Sequence, residues 1–176
     1  GAVIRRIYYD PAPQRKIMVD GNGPVPASGK PGYFVTGARS IAESWRQSDA
    51  SAANISAVQY LSSGAGLFVY NGHANHFQFA TTSENKNDPL RWLLYTNDVG
   101  YLNNQGMPFI QLSMTCYTSM FIKPTFNGTL DELIFRRKDA GAVAIWGPTG
   151  QSVVNGHQLL TEGFIDRLYA TATTQP

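Results

Sequence analysis

Three short apolar runs punctuate the chain, and each gives way at once to small or polar residues. They are Leu67 to Asn71 (LFVYN), Pro108 to Ser113 (PFIQLS) and Ala142 to Trp146 (AVAIW). Runs of this length suit core strands and fall far short of a membrane span. Segments with helical character separate them. Strands buried on both faces read as continuous apolar runs, and parallel neighbours need a crossover between them. The pattern therefore specifies an α/β domain with a mostly parallel central sheet. In such sheets the chemistry gathers beyond the carboxyl ends of the strands. The residues leaving those ends here are Gly72-His73, Thr115-Cys116 and Gly147-Pro148-Thr149-Gly150.

The rest of the chain is organised around these runs. Val3 to Tyr9 is β-branched and aromatic enough for a strand. Asp10 to Gly37 holds five of the ten prolines and five glycines, the composition of a long irregular segment. Ser40 to Leu61 reads as helical in one or two pieces, with Ile41 and Trp45 on one face and Ile55, Val58 and Leu61 on another. Thr81 to Asp88 is polar and reads as an exposed loop, and Pro89 to Tyr95 fits a short helix or a strand. Asn97 is placed to cap a short turn ending near Gly106. Asn127-Gly128-Thr129 opens a helix from Leu130 to Lys138, and a last helix spans about Gly156 to Ala170 with Leu160, Phe164 and Leu168 on one stripe.

With 176 residues, 43% of them hydrophobic, one domain with a sizeable core is expected. Residues 1–39 form its strand and irregular segment, and 40–176 its core. A single cysteine excludes a disulfide framework and a cysteine-rich zinc module. A net charge of +2, with the basic residues scattered, is too little for a nucleic-acid footprint. No membrane span is present, and no secretion signal opens the chain, so a secreted protein would begin here in mature or truncated form.

Cys116 and His73 each lie just beyond an apolar strand. If those strands are neighbours, about 4.8 Å apart, both side chains emerge on one sheet edge. An adjacent imidazole lowers a thiol's pKa and later protonates a leaving amine, and nearby backbone N–H groups can face an oxyanion. Gly72 suits a tight turn ahead of His73. The chemistry expected is acyl transfer to Cys116 followed by hydrolysis. Against it stand an inert buried cysteine, a structural histidine, and a zinc site of His73, His76 and Cys116 lacking a fourth ligand. His157 begins a helix and carries no partner signal.

The stretch from Gly64 to Gly150 resembles the caspase-like cysteine peptidases, and among them the gingipain family. The residues that carry the likeness are LFVYNGHA (Leu67 to Ala74), YTNDVGYLNNQGMP (Tyr95 to Pro108), PFIQLSMTC (Pro108 to Cys116) and AGAVAIWGPTG (Ala140 to Gly150). The resemblance implies a caspase-like three-layer α/β domain and a cysteine endopeptidase with His73 as catalytic histidine and Cys116 as nucleophile. It implies an oxyanion site at the backbone of Ala74 and Cys116. Asn71, Met114, Thr149 and Gln151 would line the substrate pocket. It further implies peptide or protein substrates, secretion or bacterial surface attachment, and no cofactor beyond a structural calcium.

Three departures accompany it. Ala74 replaces a family glycine, keeping the N–H but restricting φ. Tyr117 and the residues after it lack the Asn-Gly pair often found behind the family's cysteine. The chain is also short, corresponding to the C-terminal half of such a domain, whose N-terminal half would be a partner. Asp10 and Asp20 are possible acidic pocket residues without anything to choose between them. The competing reading is a non-catalytic caspase-like module with a structural, binding or secretion-related role.

Overall fold

The computed structural model describes residues 3–9, 46–83, 85–122, 127–153 and 156–169. The proline- and glycine-rich segment lies outside them, as do Asp10, Asp20, Ile41 and Trp45, on which expectations were placed. The elements in chain order are β1 (Tyr8–Tyr9), β2 (Arg46–Gln47), α1 (Ala50–Ser62), β3 (Leu67–Asn71), β4 (Ala74–Asn75), β5 (Gln78–Thr81) and β6 (Trp92–Tyr95). A 3-10 helix (Thr96–Tyr101), β7 (Phe109–Met114), α2 (Leu130–Arg136), β8 (Ala142–Trp146) and α3 (His157–Tyr169) follow.

The three apolar runs form one parallel sheet in the order β3-β7-β8, with β7 in the middle. The fold is the expected α/β arrangement of helices around a parallel sheet. The central strand is the most buried of the three, and Phe109 and Leu112 are fully enclosed. Phe68 of β3 meets Phe109 edge-on at 5.9 Å and Phe79 of β5 at 6.1 Å, while Tyr70 stacks on Phe79 at 3.9 Å. Aromatic pairs in these geometries add about 0.5–1.5 kcal/mol each beyond their buried area. They join the parallel sheet to a second, antiparallel sheet, β4-β5-β6, in one core with Leu61, Leu94, Leu102, Leu130 and Ile134.

That second sheet is a correction to the sequence reading. Ala74 to Thr81 folds as a hairpin immediately after His73, pairing Ala74 with Phe79 and Asn75 with Gln78. Its strands are too short to show an alternating pattern. Pro89 to Tyr95 resolves as a strand, because Trp92 to Tyr95 completes this sheet. Within the expected Ser40 to Leu61 helix, Arg46 and Gln47 instead pair in parallel with Tyr8 and Tyr9. Asp49 breaks the continuity: its backbone is extended, and its carboxylate accepts from the Ala52 N–H at 2.7 Å as an N-cap.

The buried face of α1 is Ala53, Asn54, Ala57 and Leu61, while Ile55 is exposed. Small residues let this helix approach β6 closely, and Asn54 Nδ2 donates to the Trp92 carbonyl at 3.2 Å and to Asp98 at 2.9 Å. Asp98, rather than Asn97, organises the following turn: it also accepts from the Tyr95 N–H at 2.7 Å. The α3 stripe is only partly used, since Phe164 touches Trp146 edge-on at 6.1 Å but Leu160 and Leu168 remain exposed.

Candidate active site

β3 and β7 run in register, Leu67 beside Ile110 through to Asn71 beside Met114. His73 and Cys116 are thus each two residues beyond the same rung of the ladder. Two further bonds stitch the exits together. The Gly72 N–H donates to the Met114 carbonyl at 3.4 Å, and the Thr115 hydroxyl donates to the Gly72 carbonyl at 2.7 Å. The exit of β8 is strapped to the same place, because the Tyr117 N–H donates to the Gly150 carbonyl and the Ser119 N–H to the Pro148 carbonyl, both at 3.0 Å. The three exits singled out in the sequence converge on one sheet edge.

The backbone of His73 is clamped while its side chain is exposed. Its carbonyl accepts from the Tyr70 hydroxyl at 2.5 Å and from the Ala80 N–H at 2.9 Å. Tyr70 lies in the core, and burial pushes its phenol well above the ordinary value. The role of Gly72 differs from the one expected: a Cβ there would lie 2.7 Å from the Tyr70 hydroxyl, so glycine provides room and not a left-handed backbone.

Cys116 is a free thiol, neither enclosed nor fully exposed. Its Sγ accepts from the Ser152 N–H at 3.4 Å and lies 3.6 Å from the Ser152 carbonyl. The Ser152 hydroxyl in turn lies 2.6 Å from Nε2 of His157, which is buried. The sequence offered no partner for His157, and the structure supplies one. Tyr117, next to the thiol, has φ +60°, the left-handed region where glycine or asparagine sits without strain. The missing Asn-Gly pair is thus a departure at a position whose backbone favours such residues. The Tyr117 ring stacks on His76 at 5.1 Å.

Asn71, Thr149 and Gln151 are exposed around this edge, whereas Met114 is buried beneath it and Ala74 starts β4 with partial exposure. His76 has Nδ1 2.5 Å from Asn75 Oδ1 and Nε2 3.2 Å from Met120 Sδ. Among the described residues no three His, Cys, Asp or Glu side chains converge to hold an ion.

Sequence reasoning missed Asp131. It is fully buried in the first turn of α2, and its carboxylate accepts from four side chains on the strand and turn that carry Cys116. Gln111 and Ser113, two positions apart in an otherwise apolar strand, were the visible signal.

The model of peptidase family C25 matches residues 4–176. The chain belongs to this family. C25 is a family of cysteine peptidases, the gingipain family, in agreement with the resemblance carried by the strand exits. The crystal structure of the Arg-specific cysteine proteinase gingipain R shares the C25 chain's fold with a TM-score of 0.53 at 17% identity, over 65% of this chain and 26% of that one. A structure described only as a protease aligns with a TM-score of 0.45 at 26% identity, over 54% of this chain and 18% of that one. The C25 chain therefore spans about a quarter or less of the length of these solved relatives. No curated protein matches it. No described helix is long and apolar enough to cross a membrane.

Proposed function

We propose that this chain carries the Cys116–His73 dyad of a cysteine endopeptidase. The observation that carries the reading is the register of β3 with β7, which brings the two residues out beyond a shared rung. The partial exposure of Cys116 favours it over an inert core thiol. The thiolate attacks the scissile carbonyl, and the developing oxyanion is met by the N–H groups of Ala74 and Cys116. As the C–N bond breaks, the His73 imidazolium passes its proton to the leaving amine. Water, deprotonated by the same imidazole, then attacks the thioester and restores the thiol. The Ser152 N–H at 3.4 Å is a donor suited to the thiolate form.

Asn71, Thr149 and Gln151 are assigned to the substrate pocket, and Met114, buried beneath them, supports it from below. Peptide or protein substrates follow from that assignment. Secretion or bacterial surface attachment, and completion of the site by an N-terminal half of the same catalytic domain, belong to the same reading.

Labelling with a peptide-based thiol-reactive probe tests it. Cys116 in the folded chain is expected to react at least tenfold faster than in denatured chain, and His73→Ala to abolish the difference. Equal rates in folded and denatured protein, with no effect of His73→Ala, would overturn the enzyme reading.

A further inference from the structure

The Asp131 carboxylate lies between two segments of chain. On one side Oδ1 accepts from Gln111 Nε2 at 2.7 Å and from the Ser113 hydroxyl at 3.0 Å, both on β7. On the other, Oδ2 accepts from the hydroxyls of Thr118 at 2.7 Å and Ser119 at 2.6 Å, two and three residues past Cys116. The Asp131 N–H also donates to the Thr118 carbonyl at 3.2 Å. All six residues, counting Leu130 beside it, are buried.

Four donors converging on two oxygens suit an acceptor-only group, and hydrogen bonds to a charged acceptor are the stronger kind. A buried carboxylate without such partners would be costly to keep, so the donors hold Asp131 and Asp131 holds the donors. Burial pushes its pKa up, and the bonds from Ser119, Thr118, Ser113 and Gln111 draw it back. Gly147, at the end of β8, is bare for the same reason: a Cβ there would collide with Ser119 Oγ and Asp131 Oδ2.

The turn needs such a hold. It carries the left-handed Tyr117, a conformation that crowds the Cβ of a bulky residue against its own backbone. Two backbone bonds to Gly150 and Pro148 secure one side of it. Asp131 secures the other, from the first turn of α2.

We propose that Asp131 is a positioning residue for the nucleophile: its carboxylate joins strand β7 to the turn after Cys116 and fixes the direction in which the thiol is presented. The proposal rests on the assignment of Cys116 as nucleophile.

The test compares turn-side with strand-side removal of donors in the full chain. Thr118→Val and Ser119→Ala delete turn-side donors and leave Asp131 in place. Gln111→Met deletes a strand-side donor. Amide hydrogen exchange at 117–120 and the rate of labelling by the peptide probe are read on folded protein, with thermal unfolding recorded for each.

The turn-side double variant is expected to speed exchange at 117–120 by about tenfold or more and to slow labelling by a similar factor. Gln111→Met is expected to lower the unfolding temperature while changing labelling less than threefold. Asp131→Asn should behave as the turn-side double variant; if it does not fold, that variant decides alone. Unaltered exchange at 117–120, or equal loss of labelling from both sides, overturns the positioning role. Wild-type labelling no faster than in denatured chain overturns the nucleophile assignment instead, and exchange then still reports separately whether Asp131 orders the turn.

Discussion

Tyr70 and Gly72 should behave as a coupled pair, and the coupling can be sized from the contacts. A Cβ at position 72 would lie 2.7 Å from the Tyr70 hydroxyl, 3.1 Å from Cζ and 3.7 Å from Cε2. The hydroxyl cannot swing aside. It donates to the His73 carbonyl at 2.5 Å and accepts from the Ala80 N–H at 3.1 Å, and its ring is stacked on Phe79. Gly72→Ala should therefore cost roughly 1–3 kcal/mol through overpacking.

Tyr70→Phe removes one buried hydroxyl. It orphans neither backbone partner, because the Ala80 N–H and the His73 carbonyl also bond each other at 2.9 Å. Its cost should stay near 1 kcal/mol. In the double variant the 2.7 Å contact is gone and the one tight contact left is the 3.1 Å approach to Cζ, which needs a shift of a few tenths of an ångström. The double variant should thus be more stable than the sum of the singles predicts, by roughly 1 kcal/mol. Denaturant unfolding of the four proteins measures this, with unchanged m-values as the control. Additivity to within about 0.3 kcal/mol, or a neutral Gly72→Ala, would refute the reasoning.

Other outcomes follow from the same contacts. Asn104 is fully buried and grips Gly141 through both its carbonyl, at 2.8 Å, and its N–H, at 2.7 Å. Asn104→Ala should cost about 3 kcal/mol in chemical denaturation, since it strands a buried N–H; a loss below about 1 kcal/mol would show that the grip matters little. Ile134 is fully enclosed, and Ile134→Ala should destabilise by about 2–5 kcal/mol without altering the labelling of folded Cys116. Burial raises the Asp98 carboxyl above its ordinary value. The folded chain therefore holds that proton more tightly than the unfolded chain, and Asp98's contribution to stability is greatest in acid and is lost as pH rises through the folded value. The stability advantage of wild type over Asp98→Asn should widen from about pH 6 towards pH 4, and a constant or narrowing gap would contradict the sign.

The parallel sheet and the meeting of its exits were legible in the sequence because both depend on strong local signals. Leu67 to Asn71 and Ala142 to Trp146 are apolar on both faces, and each ends in residues that cannot continue a buried strand. The hairpin after His73 was not legible. Ala74 and Asn75 make a two-residue strand whose pairing is dictated by the Tyr70–Phe79 stack and by the clamp on the His73 carbonyl. Arg46 and Gln47 read as helix by propensity, but their strand is set by distant Tyr8 and Tyr9. At the site, Cys116 and His73 could be named as the proposed dyad from their places after the strands. Ser152 and Asp131 could not, because each enters through a contact with a different segment of the chain, and His157 enters only through Ser152.

The bonds that gather the three strand exits have a bearing on how such a site can evolve. Three of the four, Gly72 to Met114, Tyr117 to Gly150 and Ser119 to Pro148, run from main chain to main chain, and the fourth uses only the Thr115 hydroxyl. The exposed side chains of Asn71, Thr149 and Gln151 take no part in them. Their identities can drift with little effect on the scaffold that presents Cys116 and His73. Under the proposed reading, substrate preference and catalytic competence would be encoded by separate atoms of the same short turns, so that one could be exchanged without disturbing the other.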